Sequence, residues 1–394
     1  MKKFILILSF LIILTLAFAG NYRINGMGGA GLALINDIKT VTYNPSLMGN
    51  LKSTNLRVLG VDYTMNKNML DLVQQLSDDA TVTRLINSIK GDLSKGEDSS
   101  DEDIGEDLTY LLKNYSLYLN NDSFMDMELN SGLVFNFKIV QIGIGANTNI
   151  NALMNFDTAN LAVDTFNVNA KTKTGVALST GLQFLRVGIG IYDEAALGYN
   201  IEQGTSVTDI ATDIQNNPPK LINTVAGDLS ATLQLGAFRM SAVSRNAITS
   251  YSKAYSLDNL NNVPINQDIQ DMVSKLTINS TNLQNNLDLG VAFVQKGFAL
   301  SAQIDNFHGF LDRVNNGPTS ENLSLVRYLH FGIEKSILPF LTLRAGVNQG
   351  YLTFGGDVFL VLGRVGFAYY GSEAGMIAGD QIRQNFEVHA DVLF

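Results

Sequence analysis

NFEVHADVLF, residues 385–394, places Phe386, Val388, Ala390, Val392 and Phe394 on one face of a period-2 strand, with Glu387, His389 and Asp391 on the other. In a soluble sheet the apolar row points into a core. In a membrane barrel it points at lipid, and the Glu, His and Asp line a watery interior. The rest of the chain decides between the two.

The same two-faced pattern recurs. Leu329, Phe331 and Ile333 alternate with His330, Gly332 and Glu334, and Leu341, Leu343, Ala345 and Val347 alternate with Thr342, Arg344 and Gly346. In a small soluble barrel the charged row would sit outside and the apolar row within. Burying Glu334 or Arg344 instead costs several kcal/mol each unless the charge is hydrated or paired. Alternation of this kind predicts about fourteen strands of roughly ten residues, the length a tilted membrane strand needs. They fall near 54–63, 124–136, 139–149, 172–184, 187–199, 228–237, 240–252, 284–294, 298–308, 325–335, 339–347, 352–361, 364–371 and 384–394.

The connections alternate too. Short turns at Phe137-Lys138, Leu185-Arg186, Phe238-Arg239, Gln295-Lys296-Gly297, Ser336-Ile337-Leu338 and Leu362-Gly363 separate longer links at 64–123, 150–171, 200–227, 253–283, 309–324 and 372–383. Only Asn348–Tyr351 is short on the long side. Short periplasmic turns opposite longer extracellular loops mark an up-and-down antiparallel transmembrane β-barrel, all-β, with both chain ends periplasmic. A Greek-key sandwich gives no reason for this order.

Composition agrees. The chain is 16% charged, with 35 Gly and 21 Phe plus 14 Tyr, and it has no Cys, which excludes disulfides and thiolate metal sites. MKKFILILSFLIILTLAFAG reads as a signal peptide over residues 1–19, with Lys2 and Lys3, an apolar run from Phe4 to Leu14, and a small-x-small site ending at Ala19. Its removal takes the formal net charge from −10 to −12, and no Lys/Arg cluster remains, so nucleic acid is not an expected partner. After it no stretch approaches 18 apolar residues, which excludes a helical membrane protein.

GMGGAGLALINDIKTVTYNPSLMG, residues 26–49, has four closely spaced glycines and a turn-forming Asn44-Pro45. A nucleotide loop is excluded, because no strand precedes the glycines and no Lys-Ser/Thr follows them. The segment resembles the entry region of the FadL-type long-chain fatty-acid transporters and their PorV-like and TraF-like relatives, with Gly28, Gly29, Gly31, Asn44 and Pro45 on the shared motif. Ser46 stands where these families usually carry Ala. Residues 327–375 resemble their closing strands. The resemblance implies a fourteen-stranded barrel over 54–394, an N-terminal hatch over 20–53 folded inward as a plug, and, for FadL-type members, a route for hydrophobic molecules.

Helical spacing marks three of the long links as insertions: Val82, Leu85, Ile86, Ile89 and Leu93 within 64–123; Val207 to Ile214, resuming at Leu221, Ile222 and Val225 after Pro218-Pro219, within 200–227; and Ile265, Ile269, Met272 and Val273 within 253–283. The acidic run 96–107 lacks the ligand spacing of a calcium loop, so a solvated loop is the expectation. His308, His330 and His389 show no HxH or HExxH spacing, and no GxSxG elbow is present, so neither metal, cofactor nor catalytic centre is expected. The reading is a non-enzymatic outer-membrane barrel that takes up small, fatty-acid-like hydrophobic compounds. The alternative is a PorV-like scaffold that docks exported partners. Lumen-facing polar residues are His330, Glu334, Arg344, Glu387, His389 and Asp391. Expected partners are outer-membrane lipid, hydrophobic small molecules, and the barrel-assembly machinery through the strand ending at Phe394.

Overall fold

The computed structural model describes residues 22–35, 37–51, 55–77, 110, 113–119, 121–160, 162–182, 184–201, 203–206, 219–256, 265–317, 324–360, 363–373 and 382–393. The expected signal peptide, the acidic run, residues 82–93, residues 207–218 and Phe394 lie outside them.

Fourteen strands close on themselves: β1 (Asn55–Asn66), β2 (Ser123–Asn136), β3 (Val140–Asp157), β4 (Ala162–Gly181), β5 (Leu185–Ile201), β6 (Lys220–Leu235), β7 (Phe238–Ser256), β8 (Leu287–Gln295), β9 (Phe298–Ile304), β10 (Leu329–Leu338), β11 (Leu341–Asn348), β12 (Tyr351–Leu360), β13 (Gly363–Glu373) and β14 (Ile382–Leu393). Each pairs antiparallel with its sequence neighbours. The ring shuts where β1 meets β14, with Val61 opposite Ala390 and Asn66 opposite Asn385. A two-residue strand, Thr277–Ile278, adds to β7 outside the ring. Closure removes both sheet edges, so every strand finds ladder partners without water.

Each expected strand overlaps one of these, though 298–308 ends at Ile304 ahead of a helix and 325–335 opens with a 3₁₀ turn at Leu325–Tyr328, and the two faces separate cleanly. Leu343 is 45% exposed, Phe354 50% and Phe367 54%, whereas Arg344 is 6% exposed and Thr353 fully buried. A belt of exposed Phe, Leu, Ile and Val on the outer wall is tolerable only against hydrocarbon, so this is a membrane barrel.

Two expectations fail in the long links. Residues 150–171 are not a loop: β3 runs on to Asp157 and β4 begins at Ala162, 18 and 20 residues long. Leu221, Ile222 and Val225 lie in β6 rather than in a helix, because β-branched and apolar residues there find ladder partners on both sides. At about 3.3 Å per residue and a tilt near 45°, twenty residues rise roughly 45 Å, well beyond an apolar band of about 25 Å. The outward row of this protruding part is apolar, yet it does not meet lipid. A helix, α1 (Lys67–Ser77), lays Met69, Leu72, Val73 and Leu76 over outward-facing Tyr63, Met65, Met125, Met127, Met154 and Phe166. Asn66 starts the helix by accepting the Met69 amide at 3.0 Å. The third expected insertion forms a helix at Ile265–Ser274.

A charge on the belt should therefore be costly. Phe367→Arg is expected to lower unfolding stability in lipid vesicles by about 2–4 kcal/mol, with Phe367→Leu close to wild type. Equal urea midpoints for the two variants would show that this face does not meet hydrocarbon.

Candidate functional site

Residues 22–51 fill the bore. The segment begins with a helical turn, Tyr22–Gly26, passes through two tight bends, and ends in a second turn, Thr40–Tyr43, and a 3₁₀ helix, Pro45–Asn50. It bonds to β9, β10, β12 and β13 on one side and to β4, β6 and β7 on the other, which only an internal segment can do.

The wall makes room for it with glycine. Gly28 and Gly29 take positive φ, and a Cβ on Gly28 would sit 2.4 Å from the Phe331 carbonyl oxygen. Opposite it, Gly332 and Gly346 face each other across β10 and β11, and a Cβ on either would strike the Met27 backbone. Gly31 instead packs under the Ile24 side chain.

Polar contacts hold the segment in place. Arg23 donates twice to Glu334, at 2.9 Å each, and Arg344 donates to the same carboxylate at 2.7 Å while pairing Asp357 with its other side. Asn25 donates to Glu387 at 2.7 Å. The Tyr22 ring stacks on His389 with centroids 4.1 Å apart, and its hydroxyl accepts from Arg364 at 3.0 Å. His330 Nδ1 lies 3.0 Å from the Gly28 carbonyl, and Gln303 accepts the Leu32 amide at 2.7 Å.

Lys39 is the charge centre. Its ammonium reaches Asp62 at 2.7 Å and Glu128 at 3.1 Å, and Asp62 also binds His389. Burial disfavours that ammonium, but the two carboxylates outweigh it and raise its pKa. Asp37 pairs with Arg57 at 3.0 Å. Burial favours its neutral acid, yet the Arg57 guanidinium and Lys39 outweigh this and hold it well below the usual carboxylate range.

On the far wall, Asn44 is fully buried and donates to the Leu32 carbonyl at 2.8 Å, fixing the fold of the plug on itself. Pro45 opens the 3₁₀ helix and presses on Gly188. Ser46, the departure from the family pattern, uses its hydroxyl: it lies 2.7 Å from Asn44 Oδ1 and 2.7 Å from the Thr232 hydroxyl, and its amide donates to Ser230 at 3.0 Å. An Ala here would leave the Thr232 contact unmade.

Of the two ways to accommodate the inward polar row, hydration or pairing, the level of the plug uses pairing. Glu387 and His389 are each 1% exposed, and His330 4%, so they line no watery channel at this level; they are paired against the plug. Asp391 lies on β14, its side chain outside the described set. Sequence reasoning missed Arg23, Lys39, Asp62 and Arg57, because nothing in a single strand's alternation says which plug residue answers which wall charge.

At the rim, between the ends of β1, β3, β4 and β14 and the start of α1, lies a polar mouth, a cavity of about 710 Å³ bordered by Asn66, Asp122, Asn155, Asp164, Thr165 and Arg383. An apolar recess of about 560 Å³ lies instead on the lipid side of β8–β11, between Phe293, Leu300, Phe331 and Val347.

No protein-family model and no curated protein matches the chain. Solved structures do match. A deletion mutant of the monoaromatic hydrocarbon channel TodX aligns with 95% of this chain and 98% of its own, at 12% identity and a TM-score of 0.51. A second TodX mutant gives 95%, 97%, 11% and 0.50. A Pseudomonas aeruginosa FadL homologue aligns over 95% of this chain and 99% of its own, at 11% identity and a TM-score of 0.48. The fold is that of the TodX channel barrel.

The seat should titrate with acid. A depressed carboxyl contributes stability that is complete above its unfolded pKa, about 4, and is lost as pH falls through the folded value. The raised Lys39 contributes fully below about 10 and is lost only at higher pH. Hydrogen-exchange protection of residues 22–51, corrected for intrinsic rates, should hold from pH 5 to 8 and fall below pH 4, with Asp37→Asn already weakened at pH 7. Protection unchanged in that variant would sink this account of the seat.

Proposed function

We propose that this chain is an outer-membrane channel that passes small hydrophobic molecules inward, with the Tyr22–Leu51 segment as a hatch that moves during passage. The observation that carries the reading is the bore closed by the chain's own N-terminal segment, in a barrel with the fold of hydrocarbon channels. Passage here is gated diffusion rather than chemistry. Outer-membrane lipid is the surrounding partner, and β14 is the handle for barrel assembly.

One observation favours a second reading, a scaffold without flux. Next to the plug the bore is packed with paired polar groups, and the apolar recess lies on the outer wall. A scaffold would keep such a bore shut permanently.

A covalent lock separates the readings. The chain has no Cys, and the Ser46 and Thr232 hydroxyls lie 2.7 Å apart, so S46C/T232C places one disulfide between hatch and wall. In vesicles with a lipopolysaccharide outer leaflet, wild type should admit toluene. The oxidised variant should lose at least about tenfold in rate, equivalent to about 1.4 kcal/mol, and regain it on reduction. Identical rates with the lock open and closed would remove the hatch from the path, and no rate above empty vesicles would favour the scaffold.

A further inference from the structure

Between the mouth and the plug, the inward face of β2–β4 carries a ladder of side-chain amides, interrupted near the mouth by Leu153. Asn149 donates to Asp126 at 2.6 Å, Asn151 to Asn149 at 3.1 Å, and Asn169 to both Asn151 at 3.4 Å and Asn167 at 2.6 Å. Asn151 and Asn169 face each other directly across the strand pair. Outward toward solvent, Asn155 reaches Asp122 at 3.3 Å at the border of the mouth cavity. Inward, Asn147 donates to Glu128 at 2.5 Å, and Glu128 meets Lys39 of the plug. Asn147 to Asn151 alone span about 13 Å of strand.

These amides are half-buried, not sealed. A carboxamide offers two N–H donors and an oxygen with two lone pairs, and each rung bond uses one of them, so a passing hydroxyl or amide finds both donor and acceptor. The cations beside the ladder are engaged: Lys171 with Glu194 at 2.7 Å, Lys173 with Asp228 at 3.3 Å, Arg383 with Asp122 at 3.0 Å, and Lys39 with its two carboxylates. A carboxylate head entering here would approach Asp126 and Glu128 and would have to break an existing ion pair to be answered.

Resting on the channel reading, we infer that the ladder is a binding track for small amphipathic molecules with an uncharged hydrogen-bonding head, an alcohol, phenol or amide, and that it disfavours fatty-acid carboxylates. The apolar part of such a ligand has Leu153 and Ile382 at the mouth and Phe124 beside Arg383 to lie against. A polar funnel of this kind admits the head first, and the net gain per good hydrogen bond is about three- to tenfold in affinity.

The test uses the full chain in nanodiscs with three ligands that share one ring: benzyl alcohol, toluene and benzoate, followed by saturation-transfer NMR. Benzyl alcohol should bind at least about tenfold tighter than benzoate, the gain of one or two hydrogen bonds. The variant N151L/N169L should lose about tenfold for benzyl alcohol and leave toluene within about twofold. Benzoate binding as tightly as the alcohol overturns the inference, whatever the variant does. So does a folded, heat-modifiable variant that keeps wild-type affinity for the alcohol. If toluene crosses in the hatch-lock experiment while these ligand differences are absent, the channel reading stands and the track falls.

Discussion

A barrel of fourteen strands encloses more space than its own inward side chains can fill, and that single geometric fact governs the rest. The lipid side forces an apolar outer row, so the polar residues of every strand are driven inward. There they must be hydrated or paired, since an isolated buried charge costs several kcal/mol. Tyr22–Leu51 answers with Arg23 for Glu334, Lys39 for Asp62 and Glu128, and Asp37 for Arg57. The plug is as much the counter-ion of the wall as its stopper.

The same constraint explains why one strand face changes partner along its length. On β2, outward Phe135 is exposed at the lipid belt, while Met125 and Met127 on the same face are buried under α1. Beyond the membrane the apolar row must find protein or be lost to water. Methionine suits this junction, because its flexible thioether fills irregular gaps between a twisted sheet and a helix.

Strand number, strand positions and the direction of the faces were legible in the chain, because a period-2 pattern is local and survives without knowledge of the fold. His330, Glu334, Arg344 and Glu387 could be placed on the inward row, but not their partners, which lie tens to hundreds of residues away. The extent of β3 and β4 was misread because Asn151, Asn155, Asn167 and Asn169 have low strand propensity and suggest a loop. Their alternation was the available signal. The α1 helix was also in view, in the spacing of Met69, Leu72, Val73 and Leu76, but the stronger-looking run at 82–93 drew the assignment.

The chemistry of the seat bears on whether the plug can move. Apolar packing across the whole bore would make displacement expose hydrocarbon surface to water, at about 25 cal/mol per Å². Here ion pairs and hydrogen bonds tie the plug to the wall, and its apolar contacts form separate patches, Ile38 and Val41 against Val134 and Ala177, and Met27, Ala33 and Leu34 against Ala292 and Ala299. When the plug shifts, water enters and takes over the polar partners of Glu334, Asp62 and Arg245. The net loss per hydrogen bond is then of order 1 kcal/mol rather than its full dry strength. A polar seat is therefore tight while dry and weak once wetted, so one local breach lowers the cost of the next. This is the cooperative behaviour a hatch requires, and it follows from the same inward charges that the lipid side imposed.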